Sequence, residues 1–161
     1  MKAITLNIFA VLLFSAYTFG QSENLTRSEK IEAFKIQQKC VADASEKEEW
    51  SMVAPCARKS LAILEDLLGK KHRSVALITY EYGLALGYVE NIVESERILK
   101  LAVKRYEEIF GNDSSELIPI LLDYAVAINN VGDFERNSPV SVYSRAFKIF
   151  KNDRNLSLIH I

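Results

Sequence analysis

Glu65-Asp66-Leu67-Leu68-Gly69 returns as Glu107-Glu108-Ile109-Phe110-Gly111, and the interval from Gly69 to Gly111 is 42 residues. The likeness continues past the glycines without a gap. Val75 aligns with Leu117, Ile78 with Ile120, Glu81 with Asp123, Tyr82 with Tyr124, Ala85 with Ala127 and Leu86 with Ile128. A period of this length marks a repeat array, in which each unit buries its apolar face against its neighbours.

The residues around each glycine have helical spacing. Trp50, Val53, Cys56, Ala57, Ser60, Leu61, Leu64, Leu67 and Leu68 predict a helix that ends at Gly69, with Pro55 near its start. Lys70-Lys71-His72-Arg73 puts positive charge at that end, where it complements the helix dipole. Ser74 is expected to cap a helix running to about Gly87, and Glu90-Asn91 to turn the chain. The next helix carries Val93, Ile98, Leu101, Ala102, Arg105 and Ile109 and stops at Gly111. After a turn at Asn112–Ser115, a helix is expected from about Glu116 to Asn130, with Pro119 in its first turn. Val131-Gly132-Asp133 turns again before a last helix from about Pro139 to Phe150. Upstream, Ser28 is expected to cap a helix bearing Ile31, Phe34, Cys40, Val41 and Ala44, joined to Trp50 through Ser45–Glu49.

No stretch alternates as a strand would. The small residues Ser60, Ala102 and Ala146 are equivalent and lie 42 and 44 residues apart, so the third unit holds two extra residues, placed between Asp133 and Pro139. The predicted fold class is all-α: an α-solenoid of three antiparallel helix hairpins, with units at about 28–69, 70–111 and 112–155.

The chain has 161 residues, enough for one domain, with 49% apolar and 25% charged residues. This balance is that of a globular protein. Lys2, the apolar run Ile4–Phe14 and the small residues Thr18 and Gly20 read as a secretory signal over 1–20, cleaved near Gly20. An uncleaved membrane anchor is the alternative. A polar lead-in follows at 21–27. Removing the signal takes one of the 20 Lys+Arg and none of the 21 Asp+Glu, leaving a net charge of −2. The charges alternate rather than cluster, so nucleic-acid binding is not expected, nor is membrane contact beyond the signal. Export sets the redox context for the two cysteines, Cys40 and Cys56; an even count favours a disulfide over two buried thiols.

The chain resembles the tetratricopeptide repeat, in the lengthened form of the kinesin light chains and many bacterial proteins. The resemblance rests on the Leu68-Gly69 helix end, His72 and Val75-Ala76 in the link, and the mid-helix pairs Tyr82-Gly83 and Tyr124-Ala125. Gly132-Asp133-Phe134 matches the family's glycine–aromatic turn, as does Glu48-Glu49-Trp50 with its glycine lost. Ser60-Leu61, Ala102-Val103 and Ala146-Phe147 match the alanine–leucine step. The likeness covers Ile31 to about Asn155. Arg73 and Ser115 replace the link proline, and Glu90 replaces a turn glycine. A HEAT-like array, whose period overlaps, is the alternative fold. The resemblance implies that Cys40 and Cys56 face each other across the first hairpin and form a disulfide.

It also implies that the first helix of each hairpin lines a groove for a protein or peptide partner. The matching positions are Lys35, Gln38 and Ala42, then Leu77, Tyr80, Leu84 and Tyr88, then Leu122, Val126, Asn129 and Asn130. Their chemistry predicts an apolar and aromatic groove rather than a carboxylate clamp. No catalytic residue, metal site or cofactor is expected. His72 and His160 lack partners at metal-ligand spacing, and no phosphate loop or nucleophile motif occurs. Glu65-Asp66 and Glu107-Glu108 read as solvated helix faces. The sequons at Asn24, Asn112 and Asn155 matter only in a glycosylating host. The expected function is an exported, periplasmic or secreted interaction scaffold. The alternative is the N-terminal repeat domain of a larger envelope protein, such as a TonB-type energy transducer. Residues 156–161 match neither the link nor a fourth unit and read as a truncated or misread end.

Overall fold

The computed structural model describes residues 25–134 and 138–153. The expected signal, most of the lead-in and the tail lie outside the described residues. Among those described there is no strand, and the chain is all-α. Its helices are α1 (Arg27–Glu46), α2 (Trp50–Leu68), α3 (Arg73–Tyr88), α4 (Ile92–Phe110), α5 (Leu117–Val131) and α6 (Pro139–Asn152). Each packs on the next in sequence. The only other pair with Cα atoms within 8 Å is α3 and α5. The first pair is antiparallel: Lys30 at the start of α1 forms an ion pair with Asp66 at the end of α2, while Cys40 and Cys56 meet nearer the turn. The two cysteines are disulfide-bonded, with Cα atoms 6.1 Å apart. The pair α3/α4 is antiparallel too. Ser95 Oγ donates to the Gly83 carbonyl at 2.8 Å near the turn, and Arg105 reaches Thr79 farther from it.

The period is written into the backbone. Gly69 has φ 78° and ψ 158°, and Gly111 has φ 88° and ψ 161°, a region essentially confined to glycine. Glu48 and Glu90 have φ of 57° and 60°, and Gly132, one period later, has φ of 76°. The two glutamates close Schellman motifs. Glu49 N–H donates to the Ala44 carbonyl at 2.9 Å and Glu48 N–H to Ser45 at 3.1 Å. Asn91 N–H donates to Leu86 at 3.0 Å and Glu90 N–H to Gly87 at 3.1 Å. The lost turn glycines therefore changed the residue and not the turn.

Two helix starts differ from the sequence reading. Thr26, not Ser28, caps α1. Its Oγ1 accepts the Glu29 N–H at 3.3 Å, and the Glu29 carboxylate accepts the Thr26 N–H at 2.8 Å. This reciprocal capping box satisfies two amides that the helix cannot. It also holds the Glu29 carboxyl below its usual pKa. His72, not Ser74, caps α3: its Nδ1 accepts the Ser74 N–H at 3.1 Å. Ser74 is thus inside the first turn, as the donor rather than the cap.

The core runs along the array. Ala54, Ala57 and Leu64 of α2 are covered by Val75, Ile78, Tyr82 and Ala85 of α3. Leu99, Val103 and Tyr106 of α4 are covered by Leu117, Ile120, Leu121 and Tyr124 of α5. Each fully buried large side chain contributes roughly 1.5–3 kcal/mol. Small residues set the spacing: Ala57, Ser60 and Ala102 are wholly buried. At Gly83 a Cβ would lie 2.8 Å from the Leu99 side chain, so α3 and α4 approach where only glycine fits.

Candidate functional site

Helices α1, α3 and α5 carry the positions expected to bind a partner. Leu77, Tyr80, Leu84 and Tyr88 recur every three or four residues and so share one face of α3; Leu122, Val126 and Asn129 do the same on α5. The structure divides this set. Leu77 is 44% exposed, Tyr88 61%, Leu122 41% and Val126 47%, so these four are surface and not core. Asn129 and Lys35 are also exposed, and Lys35 Nζ donates to Glu32 at 2.7 Å on its own helix. Tyr80 and Leu84 are half-buried and pack on the cluster that joins the second and third hairpins. Gln38 is half-buried, and its Nε2 is shielded from solvent without a hydrogen-bond partner.

Tyr80 is the link between the helices of this face. Its hydroxyl donates to Asp123 on α5. Burial, and then the bond to Asp123, push the phenol pKa up. The hydroxyl therefore stays protonated and keeps the bond across the ordinary pH range. At the end of α3, Tyr88 lies flat on Trp50, with ring centroids 4.1 Å apart and planes inclined by 15°. Aromatic pairs add about 0.5–1.5 kcal/mol beyond the area they bury. Tyr88 therefore offers its outer face while its inner face closes the gap to α2.

Glu81 was not among the expected binding residues, although its spacing from Leu77 and Leu84 puts it on the same face. It is half-buried, and burial pushes its carboxyl pKa up. A carboxylate that has lost water favours a cationic or hydrogen-bonding neighbour. The signal for it was its alignment with Asp123, whose partner Tyr80 could not be read from spacing alone.

The repeated carboxylates correct a second expectation. Asp66 and Glu108 are exposed, as expected, but Glu65 and Glu107 are half-buried and paired. Glu65 accepts from Arg105, whose other terminal nitrogen donates to Thr79, so one guanidinium ties α2, α3 and α4 together. Glu107 accepts from Arg145 of α6, which also donates to the Asn112 carbonyl at 2.8 Å. Asp66 is held by Lys30, while Glu108 is exposed. Cations of the next unit hold both glutamates, Arg105 with its side chain 8% exposed and Arg145 with 34%. Among the described residues no group of three or more His, Cys, Asp or Glu is placed to hold a metal ion, and no helix is long and apolar enough to cross a membrane.

No known protein-family model matches the chain, and no curated protein matches it.

Proposed function

We propose that the protein is an exported, tetratricopeptide-like α-solenoid that binds a peptide or helix along the face formed by α3 and α5. The observation that carries this reading is the exposure of Leu77, Tyr88, Leu122 and Val126 on helices already tied side by side through Tyr80 and Asp123. Large apolar side chains held at the surface of a rigid pair form an anchor for a partner's apolar side chains. Glu81 among them favours a ligand with a Lys or Arg between its apolar anchors. The Cys40–Cys56 bond supports export, since such bonds persist in oxidising compartments.

The exposed residues are the ones to change. Tyr80 and Leu84 pack on the core cluster, so their removal would report stability as well as binding. A random peptide library selected on the immobilised chain is expected to enrich apolar sequences with one basic residue. The triple variant Leu77→Ser/Leu122→Ser/Val126→Ser should weaken those peptides at least about tenfold, because few anchors carry most binding energy. Its unfolding midpoint should move little, since exposed substitutions cost within about 0.5 kcal/mol. Peptides that bind the triple variant as well as the parent would end this reading.

A further inference from the structure

The last helix shows a second surface. Val140, Tyr143, Phe147 and Phe150 recur at helical spacing and form one stripe on α6. They are 69%, 40%, 65% and 47% exposed. The 44-residue offset that aligns Ala146 with Ala102 places them on Glu96, Leu99, Val103 and Tyr106 of α4. Those four are only 4%, 2%, 7% and 8% exposed. Val103 and Tyr106 cluster with Leu117, Ile120, Leu121 and Tyr124 of α5, and Leu99 lies between that helix and Gly83 of α3. One unit earlier, α3 covers the same surface of α2 with Val75, Ile78, Tyr82 and Ala85. The same face is thus covered twice by a helix with apolar residues at the same spacing; on α6 it is more aromatic, and no helix among the described residues covers it.

We infer that the outward face of α6 docks an amphipathic helix of a partner polypeptide, one that carries the apolar spacing of α3 and α5 and an acidic flank. The acidic flank follows from Lys148 and Lys151, which are exposed along the border of the stripe. A second copy of this chain fits poorly. Helix α6 holds no Asp or Glu, so a second α6 face could not supply the acidic flank. Helix α1 offers Ala33, Ile36, Cys40 and Asp43 where α3 offers Val75, Ile78, Tyr82 and Ala85, so only Ile36 is a large free apolar side chain. This surface is separate from the α3/α5 face and does not depend on it.

The test uses the full chain and a fluorescent synthetic peptide of residues 114–131, the α5 sequence, with a scrambled peptide of equal composition. Anisotropy titration is expected to show the α5 peptide binding at least about tenfold more tightly than the scrambled one. Tyr143→Asp and Phe147→Asp, each at an exposed position, should each weaken it about tenfold or more, with helicity by circular dichroism unchanged. The variant Leu77→Ser/Leu122→Ser/Val126→Ser should bind it as the parent does. Equal binding of the scrambled peptide, or no effect of Phe147→Asp, overturns the inference. So does loss of binding in the triple variant, which would move the peptide to the other face. A dimer in sedimentation that Phe147→Asp dissolves would assign the face to a second copy instead.

Discussion

The joint between the first and second hairpins and the joint between the second and third use equivalent positions and are held differently. On the side of the second helices both use a glutamate, Glu65 and Glu107. The partner of the first, Arg105, has its side chain only 8% exposed, whereas Arg145 is 34% exposed. On the side of the first helices the order reverses. Tyr80 and Asp123 bond across the second joint. The residues one period before them are Gln38 and Glu81, where Gln38 Nε2 has no partner and the carboxyl of Glu81 is desolvated. Helices α3 and α5 accordingly come within 8 Å, and α1 and α3 do not. The polar hold moves from one side of the array to the other between consecutive joints. A repeat can keep its backbone and its apolar register while its polar contacts change, because backbone and core positions are shared by every unit and a hydrogen bond needs only one pair.

The largest test of this contrast is at the glutamates. Glu65→Ala leaves the Arg105 guanidinium buried without its carboxylate and should cost about 3 kcal/mol. Glu107→Ala leaves Arg145 partly in water and still bonded to the Asn112 carbonyl, and should cost about 1 kcal/mol or less. Urea unfolding midpoints at unchanged slope measure both, and equal costs would remove the distinction between the joints.

On the other side the signs should oppose. Tyr80→Phe leaves Asp123 without its donor and should lose about 1 kcal/mol, whereas Gln38→Leu removes a shielded, unpaired Nε2 and should gain about 1 kcal/mol. A loss at Gln38 would show that the amide is satisfied in solution. The smallest effects belong to the turns. Glu48→Gly and Glu90→Gly each relieve a left-handed residue and should raise stability by about 0.5–1 kcal/mol. Their φ angles agree within a few degrees, so thermal midpoints that rise by clearly different amounts would break the equivalence of the turns.

The interval between Gly69 and Gly111 was enough to place α2, α4 and the link between hairpins, because a glycine-only backbone angle and an apolar register both leave traces in the sequence. The turns at Glu48 and Glu90 were legible for the same reason: they fall two periods and one period before Gly132. The caps were legible only in part. Thr26 and His72 each sit close to a serine that by type caps as well or better, and the choice depends on where the first turn closes. The roles of Glu65 and Glu107 were hidden because the alignment repeats the carboxylate and not the cation. Arg105 aligns with Ile63 one period earlier, so nothing periodic points to it. On the candidate binding face, spacing showed which residues share a side of α3. It did not show that Tyr80 and Leu84 are partly spent on the neighbouring hairpin, since that depends on how closely two helices approach.

The bond between Cys40 and Cys56 encloses the Lys47–Glu49 turn, whose residues are all exposed. A protease that cuts there produces two polypeptides that stay covalently tethered, with α1 still anchored on α2 by Lys30 and Asp66 at the far end. The nick would pass unseen in a non-reducing gel and appear only when a thiol is added. In surroundings rich in proteases, the most accessible turn of the first hairpin can be severed without releasing the end of the molecule.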